Sequence, residues 1–187
     1  MDQKAPTLRV DPFEGRALIG FSRRDITPPF GIYGRMWGAS AHDKSEGSHK
    51  ALSVTAMAFS SDKEIKPAVL VGVDAASLGD LAGREGLEIR NATLSALDIP
   101  SSHLMLACSH THASPWAARS RAQMPGGELI DPYIAMVTSA IIDACREAIR
   151  NMEDSIITSA KGSCSLASNR DMLDPHDPTR YLTGFNP

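Results

Sequence analysis

The sequence has no unbroken apolar run near the roughly 18 to 20 residues needed to cross a bilayer, so no transmembrane segment is expected. It also lacks any cluster of Lys or Arg. The 19 basic residues are scattered among 22 acidic ones, giving a formal charge of -3. That balance excludes the basic face by which a nucleic-acid binder is known. Met1 to Val10 is polar and carries no apolar h-region, so no secretory signal is expected and a cytoplasmic protein is the simplest reading. Cysteine is scarce. Of Cys108, Cys145 and Cys164, one must stay unpaired, and two lie in apolar segments where the thiol acts as a small hydrophobe. A reduced protein fits that usage. There is no HExxH helix, no CxxC pair, no internal repeat and no low-complexity tract.

What is present reads as a globular domain, since 187 residues with 42% apolar side chains suffice for a sizeable core. Residues 17 to 22 suggest a short strand. A turn-rich stretch from Asp25-Ile26-Thr27-Pro28-Pro29 through Gly38 follows, in which two prolines disfavour a regular element. Because that stretch carries Phe30, Ile32, Tyr33, Met36 and Trp37, it is expected to be packed down, as a pocket wall or as cover for a sheet edge. Residues 51 to 60 and 67 to 74 read as strands, the second apolar enough to be covered on both faces. A helix over about 82 to 97 is expected, with Leu87, Arg90, Leu94 and Leu97 at 3-4-3 spacing, ending at Asp98-Ile99-Pro100. His103 to Cys108 is a further strand. Asp131 is expected to cap a second helix with Pro132 at its first position and a buried stripe of Ile134, Val137, Ile141, Cys145 and Ala148. Residues 154 to 160 suit another strand. The alternation predicts an α/β layered domain with a mixed, partly parallel sheet flanked by helices.

The chemistry concentrates in Ser109-His110-Thr111-His112-Ala113-Ser114-Pro115, directly after a buried strand. Ligands in α/β sheets gather beyond the carboxyl ends of the strands. Two histidines at i and i+2 on extended backbone would face one side and one ion, and neutral imidazole is a good zinc ligand. A His-x-His pair alone is as readily incidental as metal-binding; its position and small neighbours favour metal. Ser109, Thr111 and Ser114 offer hydroxyls to support ligands or substrate. Asp74, at the end of the preceding strand, is either a group that orients or joins the site, or a turn former. His42, His49, His103 and His176 read first as structural. A catalytic zinc needs about three protein ligands, and this segment supplies two at most. The rest must come from residues such as His49, Asp74 or His176, or lie beyond Pro187.

These residues resemble a known family. Leu106 to Pro115 is similar to the THTHSGP block of the neutral/alkaline non-lysosomal ceramidases, and most of all to their uncharacterised bacterial relatives. Asp25-Ile26-Thr27-Pro28-Pro29 resembles the family's DITPP turn, Gly47 to Leu52 its G-x-H-x-x-L segment, Val73-Asp74 its strand-end Asp, and Ser168-Asn169-Arg170 its N-R segment. Ala113 stands where the family has Ser.

The resemblance covers about residues 15 to 187 and implies a zinc-dependent hydrolase of N-acyl bonds. On it, His110 is a direct Zn2+ ligand, while His112 and Asp74 serve catalysis. Asn169 and Arg170 lie near substrate, and Trp37 belongs to the wall of an acyl cleft. The family's remaining ligands, a His, a Glu and a Tyr, come later in longer chains. Residues 1 to 14 are then a flexible N-terminal segment, and 15 to 187 the N-terminal portion of a catalytic domain, incomplete at its C-terminus and inactive alone. An N-acyl lipid or other small amide is the implied substrate, and an incomplete sheet edge would permit self-association. Two alternatives stay open: a complete small metal hydrolase, and a non-catalytic module that kept the fold. An amidohydrolase-type barrel needs about 250 residues, which this chain does not have.

Overall fold

The computed structural model describes residues 14–36, 40–80, 83–166 and 171–183. The chain divides into two compact units, Gly15–Ile157 and a smaller one made of Met1–Glu14 with Thr158–Pro187.

The larger unit is built on a five-stranded sheet of order β4-β3-β2-β1-β5. Its strands are β1 (Glu14–Asp25), β2 (Ser53–Ser60), β3 (Ala68–Val73), β4 (Leu104–Cys108) and β5 (Glu153–Thr158). β1 runs antiparallel to β2 and β2 to β3, whereas β3 and β4 are parallel. The parallel pair needs a crossover, and α1 (Arg84–Leu97) supplies it. The expected mixed, partly parallel α/β sheet is therefore the architecture found.

Alternation along the strands decides which face is dry. Val54, Ala56, Ala58, Val69, Val71 and Val73 point into one core with Ile134, Val137, Ile141, Cys145 and Ala148 of α2 (Ile130–Arg150). That helical stripe is the one the spacing predicts. α2 lies on β2 and packs against α1. β1 comes close to α2 at Gly20, where a Cβ would stand 2.1 Å from the Ala148 carbonyl oxygen.

The structure differs from the sequence reading in four places. β3 is covered on one face only, since Leu70 remains 37% exposed beside exposed Phe21, Phe59 and Met105. α1 buries Glu85, Ile89 and Thr93, while Leu87 is 60% exposed. Its i, i+4, i+8 face runs through an acid and a threonine, which an apolar count passes over. Asp131 does not cap α2: a 3-10 turn at Gly127–Leu129 leads into the helix, and Asp131 instead pairs with Arg119 at 2.6 Å. His103 closes a 3-10 turn rather than opening β4, and its Nδ1 bonds the Lys66 carbonyl at 3.1 Å, a structural role. α1 does end at Asp98, which takes a left-handed conformation (φ 51°) ahead of Pro100.

The smaller unit includes the hairpin β6 (Asp171–Asp174) and β7 (Asp177–Thr183). His176 sits in its turn, where its amide bonds Asp174 Oδ1 at 2.9 Å. No helix among the described residues is long and apolar enough to cross a membrane.

Candidate functional site

β3 and β4 exit side by side, and the last ladder bond runs from the Ser109 amide to the Val73 carbonyl at 2.9 Å. The His110 backbone then leaves the extended region, with φ at 58°. Left-handed backbone costs a non-glycine residue on the order of 1 kcal/mol, so the loop must hold it there. This corrects the expectation of two histidines on one side of extended chain. The rings do meet, with centroids 5.0 Å apart and planes at 72°, but across a kink.

The holding contacts come from the loop after β3. His110 Nδ1 lies 2.8 Å from the Ala76 carbonyl oxygen. A carbonyl only accepts, so Nδ1 bears the hydrogen and the neutral ring keeps its lone pair on Nε2. The buried Ser114 hydroxyl accepts the Ala76 amide at 2.9 Å and donates to the Thr111 carbonyl at 3.2 Å. Ser114, expected as a supporting hydroxyl, thus bonds main chain on both sides.

Asp74 caps the adjoining strand end. Its Oδ2 accepts both the amide and the hydroxyl of Ser53, each at 2.9 Å, and its own amide donates to the Ser53 carbonyl at 2.9 Å. These contacts give Asp74 a sheet-end role and also keep its carboxylate in place. A cavity of about 630 Å³ opens between these loops, and Asp74, His112, Thr111, His49 and Lys50 line it.

The opposite wall comes from the turn-rich stretch. Asp25 Oδ1 accepts the Thr27 amide at 2.6 Å in a tight Asx turn, and the Thr27 side chain, then its amide, hold the Asp25 carboxyl below its usual range. Thr27 Oγ1 accepts the Leu52 amide, and Tyr133 donates its hydroxyl to the Ile26 carbonyl at 2.9 Å. The stretch is packed down as expected, with Ile32 and Tyr33 buried. Pro28, Ile32 and Gly34 face the cavity, whereas Phe30 is 74% exposed. Trp37, Asn169 and Arg170 lie outside the described residues.

Glu85 escaped the sequence reading. It is buried, and its carboxylate accepts the amides of Arg119 at 2.9 Å and Asp80 at 3.4 Å. Burial raises its pKa, but the backbone donors outweigh burial and the net shift is downward. Glu85 so ties the chain after the histidines to the chain after β3. Its signal in the sequence was an acid on the same helical face as Ile89 and Thr93.

As a metal site the donor set fits in part. The anchored Nδ1 and free Nε2 of His110 are the arrangement of a ligating imidazole. Among the described residues, no three His, Cys, Asp or Glu side chains gather closely enough to hold an ion.

The molecule is thus a mixed-sheet α/β protein with a histidine loop at its parallel strand exits. Among solved structures, that fold is shared with ceramidases. A ceramidase complexed with C2 superposes with a TM-score of 0.57 and 18% identity over 73% of this chain. The crystal structure of neutral ceramidase from Pseudomonas aeruginosa gives 0.53 and 19% over 77%. The chain spans 22% of the length of each. No family model and no curated protein sequence matches it.

Proposed function

We propose that this chain is the N-terminal portion of a ceramidase-like, zinc-dependent hydrolase of N-acyl bonds. In this reading it binds metal weakly and turns over little or nothing by itself. The observation that supports it most is the His110–Ala76 bond, which leaves Nε2 of an exposed imidazole free to ligate.

Zinc, when bound, supplies an acidified water and a Lewis acid for the scissile carbonyl. His110 would hold it. His112, on the cavity wall, would carry a proton to the leaving amine. Asp74, fixed by Ser53, adds a carboxylate to the same cavity. Pro28, Ile32 and Leu52 offer apolar wall to the acyl part of an N-acyl lipid or other small amide.

The second reading, a complete small metal hydrolase, draws on His49, Asp74 and His112 lining one cavity. Equilibrium dialysis against zinc, with metal analysis and a fluorogenic N-acyl amide assay, separates the two. Weak zinc binding that His110→Ala abolishes is the expected result. One tightly held zinc with turnover would favour the second reading, and no zinc binding would overturn both.

A further inference from the structure

We infer that Ser114 is a positioning residue that sets the ligating tautomer of His110 through Ala76; its bearing on metal rests on the reading of His110 as a ligand. Ala76 is gripped twice by the histidine loop. Its amide donates to Ser114 Oγ at 2.9 Å, and its carbonyl accepts from His110 Nδ1 at 2.8 Å. These groups belong to successive peptide planes, so holding both fixes how Ala76 presents its carbonyl to the imidazole.

The Ser114 hydroxyl is itself oriented. It is 4% exposed, and donating to the Thr111 carbonyl at 3.2 Å leaves its lone pairs to the Ala76 amide. Free histidine in water favours the other tautomer, with hydrogen on Nε2, which would block ligation there. An exposed His110 therefore needs a fixed carbonyl to reverse that preference. Ser114 supplies the fixation from four residues away, through the Ala76 main chain.

The test is the imidazole tautomer, read from long-range proton–nitrogen spectra of the labelled chain at pH 8 without metal. The wild type should show hydrogen on Nδ1. Ser114→Ala should move the ring toward the Nε2–H form, while Ser114→Thr, which keeps the hydroxyl, should hold the wild-type pattern. Zinc titration should then weaken about tenfold in Ser114→Ala, the scale of a lost supporting contact.

An unchanged tautomer in Ser114→Ala overturns the inference. Should that variant not fold, the wild type still decides: an Nε2–H ring or a fast-exchanging Ala76 amide overturns it. If the tautomer follows Ser114 but the wild type binds no zinc, the positioning role stands and the metal reading falls.

Discussion

His110 Nδ1 and the Ala76 carbonyl meet at 2.8 Å, which ties the loops leaving two adjacent parallel strands. His110 also sits at φ 58°, so its replacements should divide by backbone as well as by chemistry. Asn tolerates left-handed backbone and can still donate to a carbonyl. His110→Asn should keep near wild-type stability, whereas His110→Ala should lose about 1 kcal/mol from the vacated hydrogen bond. Both should lose zinc. Urea denaturation in metal-free buffer beside zinc dialysis checks the pair; equal destabilisation would disprove the backbone argument.

Glu85 should make stability depend on acid. Its pKa in the fold lies below the ordinary 4.5, so the unfolded chain binds the proton more readily. The ionised carboxylate therefore stabilises fully above that ordinary value, and its contribution fades as pH falls through the folded one. Glu85→Gln should cost about 2 kcal/mol at pH 7 through weakened charged hydrogen bonds. The gap from wild type should narrow below pH 4.5. Thermal melts across pH 3 to 7 measure it, and a gap independent of pH would argue against an ionised Glu85.

Gly20 marks a close approach of β1 to the end of α2. Any side chain there meets the Ala148 carbonyl and the Met152 amide, with a Cβ only 2.1 and 2.7 Å away. Backbone atoms at a helix end cannot swing aside as a side chain can. Gly20→Ala should cost about 3 kcal/mol, at the upper end for overpacking. Gly72, with nothing within 4 Å of its would-be Cβ, is the control. Gly72→Ala should leave the denaturation midpoint nearly unchanged.

The uncovered sheet face should act as surface. Phe21 pairs across β2 with Met57, which pairs with Leu70, which pairs with Met105. Phe21 and Met105 are 60% and 62% exposed. Phe21→Thr and Met105→Thr should each change stability by less than about 0.5 kcal/mol. They should also reduce binding of an apolar fluorescent dye. A loss of several kcal/mol would mean that this face is packed in solution.

Sulfhydryl chemistry should sort the three cysteines. Burial pushes the Cys145 thiol up to about 12 and also raises Cys108, while Cys164 is exposed. Cys164 should react with a thiol reagent at pH 8 in the folded protein, and Cys145 only after denaturation. Mass spectrometry of the labelled peptides reads the order directly.

The residues that determined elements by themselves were those with strong local rules. The apolar run of β3, the stripe Ile134 to Ala148 and Asp98 before Ile99-Pro100 could each be read from periodicity or backbone sterics. The place of the histidine loop beyond a strand end was legible too, because the apolar run to Cys108 gives way to small polar residues. What only the tertiary structure decided were the partners across the sheet. Which face of β3 stays open depends on where α1 and α2 land. That Glu85 faces inward depends on amides 5 and 34 residues away to satisfy it. The form of His110 is set by a carbonyl 34 residues earlier, brought beside it by the parallel pairing of β3 and β4. A hydrogen bond has short reach and strict direction, so its partner is fixed by the fold and leaves no periodic trace in the chain.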